Sequence, residues 1–128
     1  MTSDTPLSTI LVVEDDTNQR ALYEEELTDE GYNVLTAGDG KEALSRAREN
    51  KPDLIVLDIN MPVMDGLDTL SHLLEFNGQI PVIINTAYAS YQESFTSWSA
   101  DAYIVKSSDL TELKNTIKRL LANQTGSA

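Results

Sequence analysis

An α/β fold, with a doubly wound parallel sheet of five strands alternating with helices, is what this sequence predicts. Apolar runs of four or five residues alternate five times with segments of helical period, the pattern of a parallel sheet covered on both faces. The third and fourth runs, Leu54-Ile55-Val56-Leu57 and Val82-Ile83-Ile84, are made of Leu, Ile and Val alone, as strands buried on both sides read. Polar residues stand at or just past the carboxyl ends of four runs: Glu14 and Asp15, then Asp58, then Thr86, then Lys106. If the runs lie parallel in one sheet, these groups meet at one edge, the edge where open α/β sheets bind ligands.

Strands are expected near 9–13, 33–37, 53–57, 80–84 and 102–105. After the first strand, Tyr23 and Leu27 lie one turn apart, Glu24-Glu25-Glu26 belongs in water, and Gly31 provides a stop. Gly40, Ala43, Leu44 and Ala47 mark a short second helix, and Leu67, Leu70 and Leu74 a third. The stretch Tyr88 to Ser99 is rich in Ser and Thr, which lowers helix propensity, so a short or mobile fourth helix is expected there. The last helix has the clearest period, with Leu110, Leu113, Ile117, Leu120 and Leu121 on one face. Ser108 or Asp109 is its expected N-cap, and Lys118 and Arg119 lie near its other end. The reading is one domain over 9–122, with a leader at 1–8 and a disordered tail at 123–128.

Composition narrows the function. The 128 residues, 41% of them apolar, suffice for one core. A formal net charge of -12, from 21 acidic and 9 basic residues, repels phosphate backbones and anionic lipid, so no direct nucleic-acid or membrane partner is expected. Cysteine is absent, which excludes disulfides and thiolate metal sites. No run approaches the roughly 20 apolar residues of a membrane span, and the first nine residues lack the charge and apolar stretch of a signal peptide. A cytoplasmic protein is expected.

The polar edge suggests its own chemistry. Three converging carboxylates repel one another unless a divalent cation joins them, and hard oxygen donors suit Mg²⁺. A hydroxyl and an ammonium beside them suit an incoming oxyanion. Asp58 leaves a dry strand for a loop closed by Pro62 and Asp65-Gly66, a placement fit for a nucleophile. Taken singly, each residue has a plainer role: Asp58 forms a turn, Glu14-Asp15-Asp16 caps the first helix, Thr86 is a turn hydroxyl and Lys106 a solvated cation. It is their joint order along the chain that favours phosphoryl transfer to an aspartate.

The stretches Leu11-Val12-Val13-Glu14-Asp15-Asp16, Ala37-Gly38-Asp39-Gly40-Lys41-Glu42-Ala43-Leu44, Leu57-Asp58-Ile59-Asn60-Met61-Pro62-Val63-Met64-Asp65-Gly66, Thr86-Ala87 and Tyr103-Ile104-Val105-Lys106 together resemble the receiver domain of two-component response regulators. The resemblance spans about residues 8 to 122. It implies a flavodoxin-like (βα)5 fold with strand order 2-1-3-4-5. It also implies that Asp58 is the phosphoacceptor, served by a histidine kinase or phosphotransfer protein. Mg²⁺ would be held by Asp15, Asp58 and the backbone carbonyl of Asn60, with Glu14 acting through water. Thr86 and Lys106 would contact the phosphoryl group, and Tyr103 would be the switch aromatic that turns inward with Thr86. Output would pass through the fourth helix, fifth strand and fifth helix to a protein target or a second copy. The only catalysis expected is self-phosphorylation and self-dephosphorylation, in a receiver standing alone.

One departure is visible. The family has proline after the lysine, often through a cis bond, whereas Ser107 and Ser108 follow Lys106. A cis bond before serine costs about 3 to 4 kcal/mol, which favours a trans loop and leaves the aim of Lys106 open. This departure supports an alternative, a receiver-like module that docks partners without phosphorylation. A Mg²⁺-dependent aspartyl phosphatase is disfavoured because position 60, two residues past the nucleophile, is Asn and offers no general acid. A flavodoxin-like cofactor binder lacks its phosphate loop after the first strand. Among the remaining residues, Tyr88 either shields an acyl phosphate or covers the core edge. His72 reads as solvated, Trp98 as packing, and Met61 and Met64 as loop core.

Overall fold

A computed structural model describes residues 7–58, 63–76, 78–87 and 100–126. The described elements are β1 (Thr9–Val13), α1 (Thr17–Asp29), β2 (Asn33–Ala37), α2 (Gly40–Asn50), β3 (Leu54–Leu57), α3 (Val63–Phe76), β4 (Val82–Thr86), β5 (Ala102–Val105) and α4 (Thr111–Gly126). All strand pairs are parallel, in the order β2-β1-β3-β4-β5. This is the expected doubly wound sheet. The segment expected as a fourth helix, with Tyr88 and Trp98, lies outside the described residues, as do Asn60 and Met61 and the side chain of Met64.

The two-residue alternation of each strand divides the core in two. Leu11, Val13, Ile55, Leu57, Val82 and Ile84 face one way and meet Ala43 and Ala47 of α2 with Leu70 and Leu73 of α3. Ile10, Val12, Leu54, Val56, Ile83 and Ile104 face the other way and meet Tyr23 and Leu27 of α1 with Leu113 and Ile117 of α4. Of the expected stripes, Tyr23 and Leu27 on α1, Ala43 and Ala47 on α2, Leu70 on α3 and Leu113 and Ile117 on α4 are buried, Leu44, Leu74, Leu120 and Leu121 are partly buried, and the side chain of Leu67 lies outside the described residues. Gly31, at φ 99°, follows the Glu30 C-cap of α1 and takes the left-handed turn that ends the helix.

Boundaries of β3, β4 and α4 differ from expectation, β3 beginning at Leu54 rather than at 53. β4 begins with the apolar run at Val82 rather than at 80, and ends on Thr86 rather than 84, because Asn85 and Thr86, 3% and 0% exposed, pair with Ile104 and Val105. Pro81 precedes the strand and contributes only its carbonyl, to Ile55 N–H at 3.0 Å. α4 continues past the boundary expected at 122, since no helix breaker occurs before Gly126. Lys118 and Arg119 therefore sit within the helix rather than in its last turn. The expected cap lies one residue too early: Leu110 precedes α4 and its carbonyl accepts from Lys114 N–H at 2.9 Å, while the Asp109 carboxylate accepts from the N–H of Thr111 at 2.9 Å and from its hydroxyl.

Candidate functional site

The sheet order creates the site. β1 has β2 on one side and β3 on the other, so the helices after β1 and β3 leave in opposite directions and open a crevice at the carboxyl edge. Three backbone hydrogen bonds carry the ladder just past the strands and hold the polar residues there. Glu14 N–H donates to Ala37 O at 2.9 Å, Asp58 N–H to Val13 O at 3.0 Å, and Lys106 N–H to Thr86 O at 2.7 Å. The polar groups thus inherit the rigidity of the sheet.

Their side chains then meet. Lys106 Nζ donates to Glu14 Oε1 at 2.7 Å and to Asp58 Oδ2 at 2.9 Å, with the side chains of both acids 2% exposed. The second oxygen of Glu14 accepts from Asp16 N–H at 3.2 Å, so both of its carboxylate oxygens are engaged by protein donors. Asp15 is exposed beside them, and one oxygen from each of Glu14, Asp15 and Asp58 lies within 4.8 Å of the others. The acidic triplet divides its labour: Asp16 is the N-cap of α1, accepting from Gln19 N–H at 3.0 Å, while Glu14 and Asp15 turn to the crevice.

The electrostatics follow from burial. Burial pushes the Glu14 carboxyl up to about 7, opposed by its bond from Lys106 and reinforced by the nearby Asp58 charge. Burial alone would lower the Lys106 ammonium, but its bonds to Glu14 and Asp58 outweigh that and raise it. Two acids facing one cation leave room for more positive charge. The oxygen-only donor set, clustered within 4.8 Å at a partly open edge, fits Mg²⁺, which accepts carboxylates and keeps several waters.

Thr86 closes β4, fully buried, in register with Val105 one residue before Lys106. Tyr103, on β5, is 7% exposed and belongs to the core cluster that contains Leu57 and Ile84. The described chain has no cis peptide bond, so Lys106–Ser107 is trans. Lys106 reaches both acids all the same, and the loop that follows is shaped by Ser107 Oγ accepting from Asp109 N–H at 3.1 Å. His72 is exposed on α3, its Nδ1 2.8 Å from Asp68 O.

Two residues near the site, Asn85 and Arg20, carry no mark in the sequence reading, and a third, Tyr23, is marked there only as a core position of α1. Tyr23 of α1 and Asn85 of β4 are both buried and hydrogen-bonded to each other beneath the charged cluster; burial raises the Tyr23 hydroxyl, and the bond to Asn85 tempers this. The available signal was Asn85 itself, a polar residue at the end of an apolar strand. Arg20 Nη1 donates to the carbonyl of Glu14 at 2.9 Å.

Comparison with known proteins agrees with this geometry. A family model described as the response regulator receiver domain matches residues 10–118. The transcriptional regulatory protein PrrA of Mycobacterium tuberculosis (strain ATCC 25618 / H37Rv) is 41% identical over 121 residues, which are 93% of this chain and 52% of PrrA. This chain thus spans about half the length of that relative. The response regulator TrrA of Thermotoga maritima, solved in complex with Mg(2+)-BeF, aligns with a TM-score of 0.82 and 41% identity over 89% of this chain and 99% of that one. The same protein has been solved with the histidine kinase ThkA, at a TM-score of 0.81 and 42% identity over 90% and 99% of the two chains. A CheY-like receiver domain protein from Methanospirillum hungatei JF-1 aligns with a TM-score of 0.88 and 31% identity, covering 96% of this chain and all of the other.

Proposed function

The chain belongs to the response regulator receiver family, and from that premise we propose that it is a Mg²⁺-dependent signalling receiver phosphorylated on Asp58. The observation that carries this reading is the Lys106 bridge between Glu14 Oε1 and Asp58 Oδ2, with Asp15 beside it. A buried aspartate whose charge is shared by a lysine, at the switch point of the sheet, has the makings of a nucleophile in an electrostatic cradle.

The donor is a phosphohistidine on a histidine kinase or phosphotransfer protein. TrrA, the neighbour noted above, is solved with such a kinase. One Asp58 carboxylate oxygen attacks phosphorus, the new O–P bond forms as the N–P bond breaks, and the imidazole leaves with its electron pair and takes up a proton. Bound Mg²⁺ would neutralise charge on the transferring phosphoryl oxygens, held by Asp15 and Asp58 with Glu14 behind them. The ammonium of Lys106, freed from the Asp58 oxygen it bonds in the resting state, turns to a phosphoryl oxygen. Thr86 offers its hydroxyl from the end of β4. In hydrolysis water attacks phosphorus, the O–P bond to Asp58 breaks, and inorganic phosphate leaves with the carboxylate restored.

The new dianion is the signal. It draws Thr86 and Lys106 together, and the Tyr103 ring, on the strand beside Thr86, moves into the space that Thr86 vacates. Output passes through β5, α4 and the segment 88–99 to a protein target or a second copy. No helix among the described residues is long and apolar enough to cross a membrane. The test is intact-protein mass after treatment with a small phosphodonor, with and without Mg²⁺, beside Asp58→Asn. The reading expects a gain of one phosphoryl group that needs both Mg²⁺ and Asp58. A gain that survives Asp58→Asn overturns it, and no gain from either a small donor or a phosphohistidine protein favours the phosphorylation-independent docking module.

A further inference from the structure

Arg20 lies one turn into α1, and nothing in its sequence position marks it for function. Its guanidinium nevertheless reaches back over the β1–α1 turn, where Nη1 donates to Glu14 O at 2.9 Å. That carbonyl belongs to the peptide unit joining Glu14 to Asp15. Because the unit is planar, fixing its oxygen fixes the direction in which the chain enters Asp15. The other side of Glu14 is tied as well, by its N–H to Ala37 O at 2.9 Å. Glu14 is therefore held from β2 and from α1 at once.

The space for the guanidinium comes from Gly38. A Cβ built on Gly38 would lie 2.8 Å from Arg20 Nη1 and 3.5 Å from its Cζ, closer than a methyl group can sit to the nitrogen. Gly38 is itself held in place, its N–H donating to Glu42 Oε1 at 2.8 Å beside the Asp39 cap of α2. The atom that would clash is the far end of a flexible side chain, so a methyl at position 38 displaces Arg20 while sparing the backbone.

We propose that Arg20 is a positioning residue for the Glu14–Asp15 acid pair, seated against Gly38, and that it sets the affinity of the site for Mg²⁺. This rests on the receiver reading for the metal and on the geometry alone for the positioning. Coulomb's law makes the opposite prediction. Removing a cation next to three carboxylates should tighten the binding of a divalent cation, whereas loosening the acid pair should weaken it. The sign of the change therefore separates the two effects.

The experiment measures Mg²⁺ affinity by titration calorimetry and stability by urea unfolding for wild type, Arg20→Met, Gly38→Ala and the double variant. Lys118→Met, which removes an exposed cation from α4, serves as the charge control. Loss of a partner that orients a metal ligand typically weakens metal binding by about ten- to a hundredfold, and about tenfold is expected for Arg20→Met. Gly38→Ala weakens binding in the same direction, the double variant is no weaker than Arg20→Met alone, and Lys118→Met does not weaken it. Binding by Arg20→Met as tight as or tighter than wild type overturns the proposal, as do effects of the two substitutions that simply add. If wild type itself binds no Mg²⁺, the metal reading falls. The positioning claim is then decided in metal-free protein by the NMR signal of the Lys106 ammonium, which its bonds to Glu14 and Asp58 protect. Broadening of that signal in Arg20→Met supports the claim, and an unchanged signal overturns it.

Discussion

The molecule contains the same three charges twice. At the carboxyl edge of the sheet, Lys106 bridges Glu14 and Asp58 at 2.7 and 2.9 Å; between α1 and α4, Lys114 bridges Glu26 and Glu30 at 2.7 and 3.7 Å. What differs is water. The first set is 11% and 2% exposed, the second 23% to 36%. In the wet set, solvent screens the attraction and the pairs only help to seat α4 on α1. In the dry set each charge depends on its neighbours, so a new anion or cation must rearrange the others. One ammonium between two carboxylates thus makes a fastener in one place and a responsive site in the other.

Breaking the two sets tests this contrast. Removing one partner of a buried pair leaves a charge without compensation, at a typical cost of about 3 to 5 kcal/mol. Lys106→Met should fall near the low end of that range at pH 8, read as a loss of unfolding free energy in urea with EDTA present. It should also suppress phosphoryl uptake. The same substitution should cost less at pH 5, where Glu14 accepts a proton in place of the lost ammonium.

A smaller effect is expected in the unaltered protein. The Glu14 carboxyl is raised from 4.5 to about 7, so between these values the folded chain keeps a proton that the unfolded chain releases. Stability with EDTA should therefore fall as pH rises through this window, the direction opposite to that of a salt-bridged acid with a depressed value. Urea midpoints at pH 5 and pH 7.5, compared with Glu14→Gln, check the sign: the decline attributable to this group should vanish in the variant. Lys106, raised in the folded state, contributes stability that is complete below its ordinary 10.5 and is lost only as pH rises through the folded value, outside this window. The smallest effect belongs to Lys114→Met, a small fraction of the loss from Lys106→Met because solvent screens the pair, reduced further by salt and without consequence for phosphoryl uptake. A loss as large as that of Lys106→Met would erase the distinction between the two sets.

How much of this was legible in the sequence depended on range. The strands announced themselves, because Leu54 to Leu57 and Val82 to Ile84 must be dry on both faces, and the chain order of Glu14, Asp58, Thr86 and Lys106 was enough to bring them to one edge. The carboxyl end of β4 was misjudged because Asn85 and Thr86 look like a loop; Asn85 can be buried only because Tyr23, on a distant element, bonds it. The triplet Glu14-Asp15-Asp16 was ambiguous between cap and metal site, and the backbone resolves it by giving Asp16 to the helix and the other two to the crevice. Arg20 was invisible, since its value lies in the empty space over Gly38, which no periodicity records. Ser107 had raised doubt about Lys106, yet Lys106 is held by the Thr86 carbonyl and two carboxylates rather than by the residue that follows it.

The most direct measurement locates the phosphoryl group. Borohydride reduces an aspartyl phosphate to an alcohol, so treating the phosphodonor-exposed protein and mapping its peptides by mass marks the acceptor. A reduced residue at position 58, formed with Mg²⁺ and absent with EDTA, is the predicted result. Reduction at any other carboxylate, or at 58 regardless of Mg²⁺, would contradict the account.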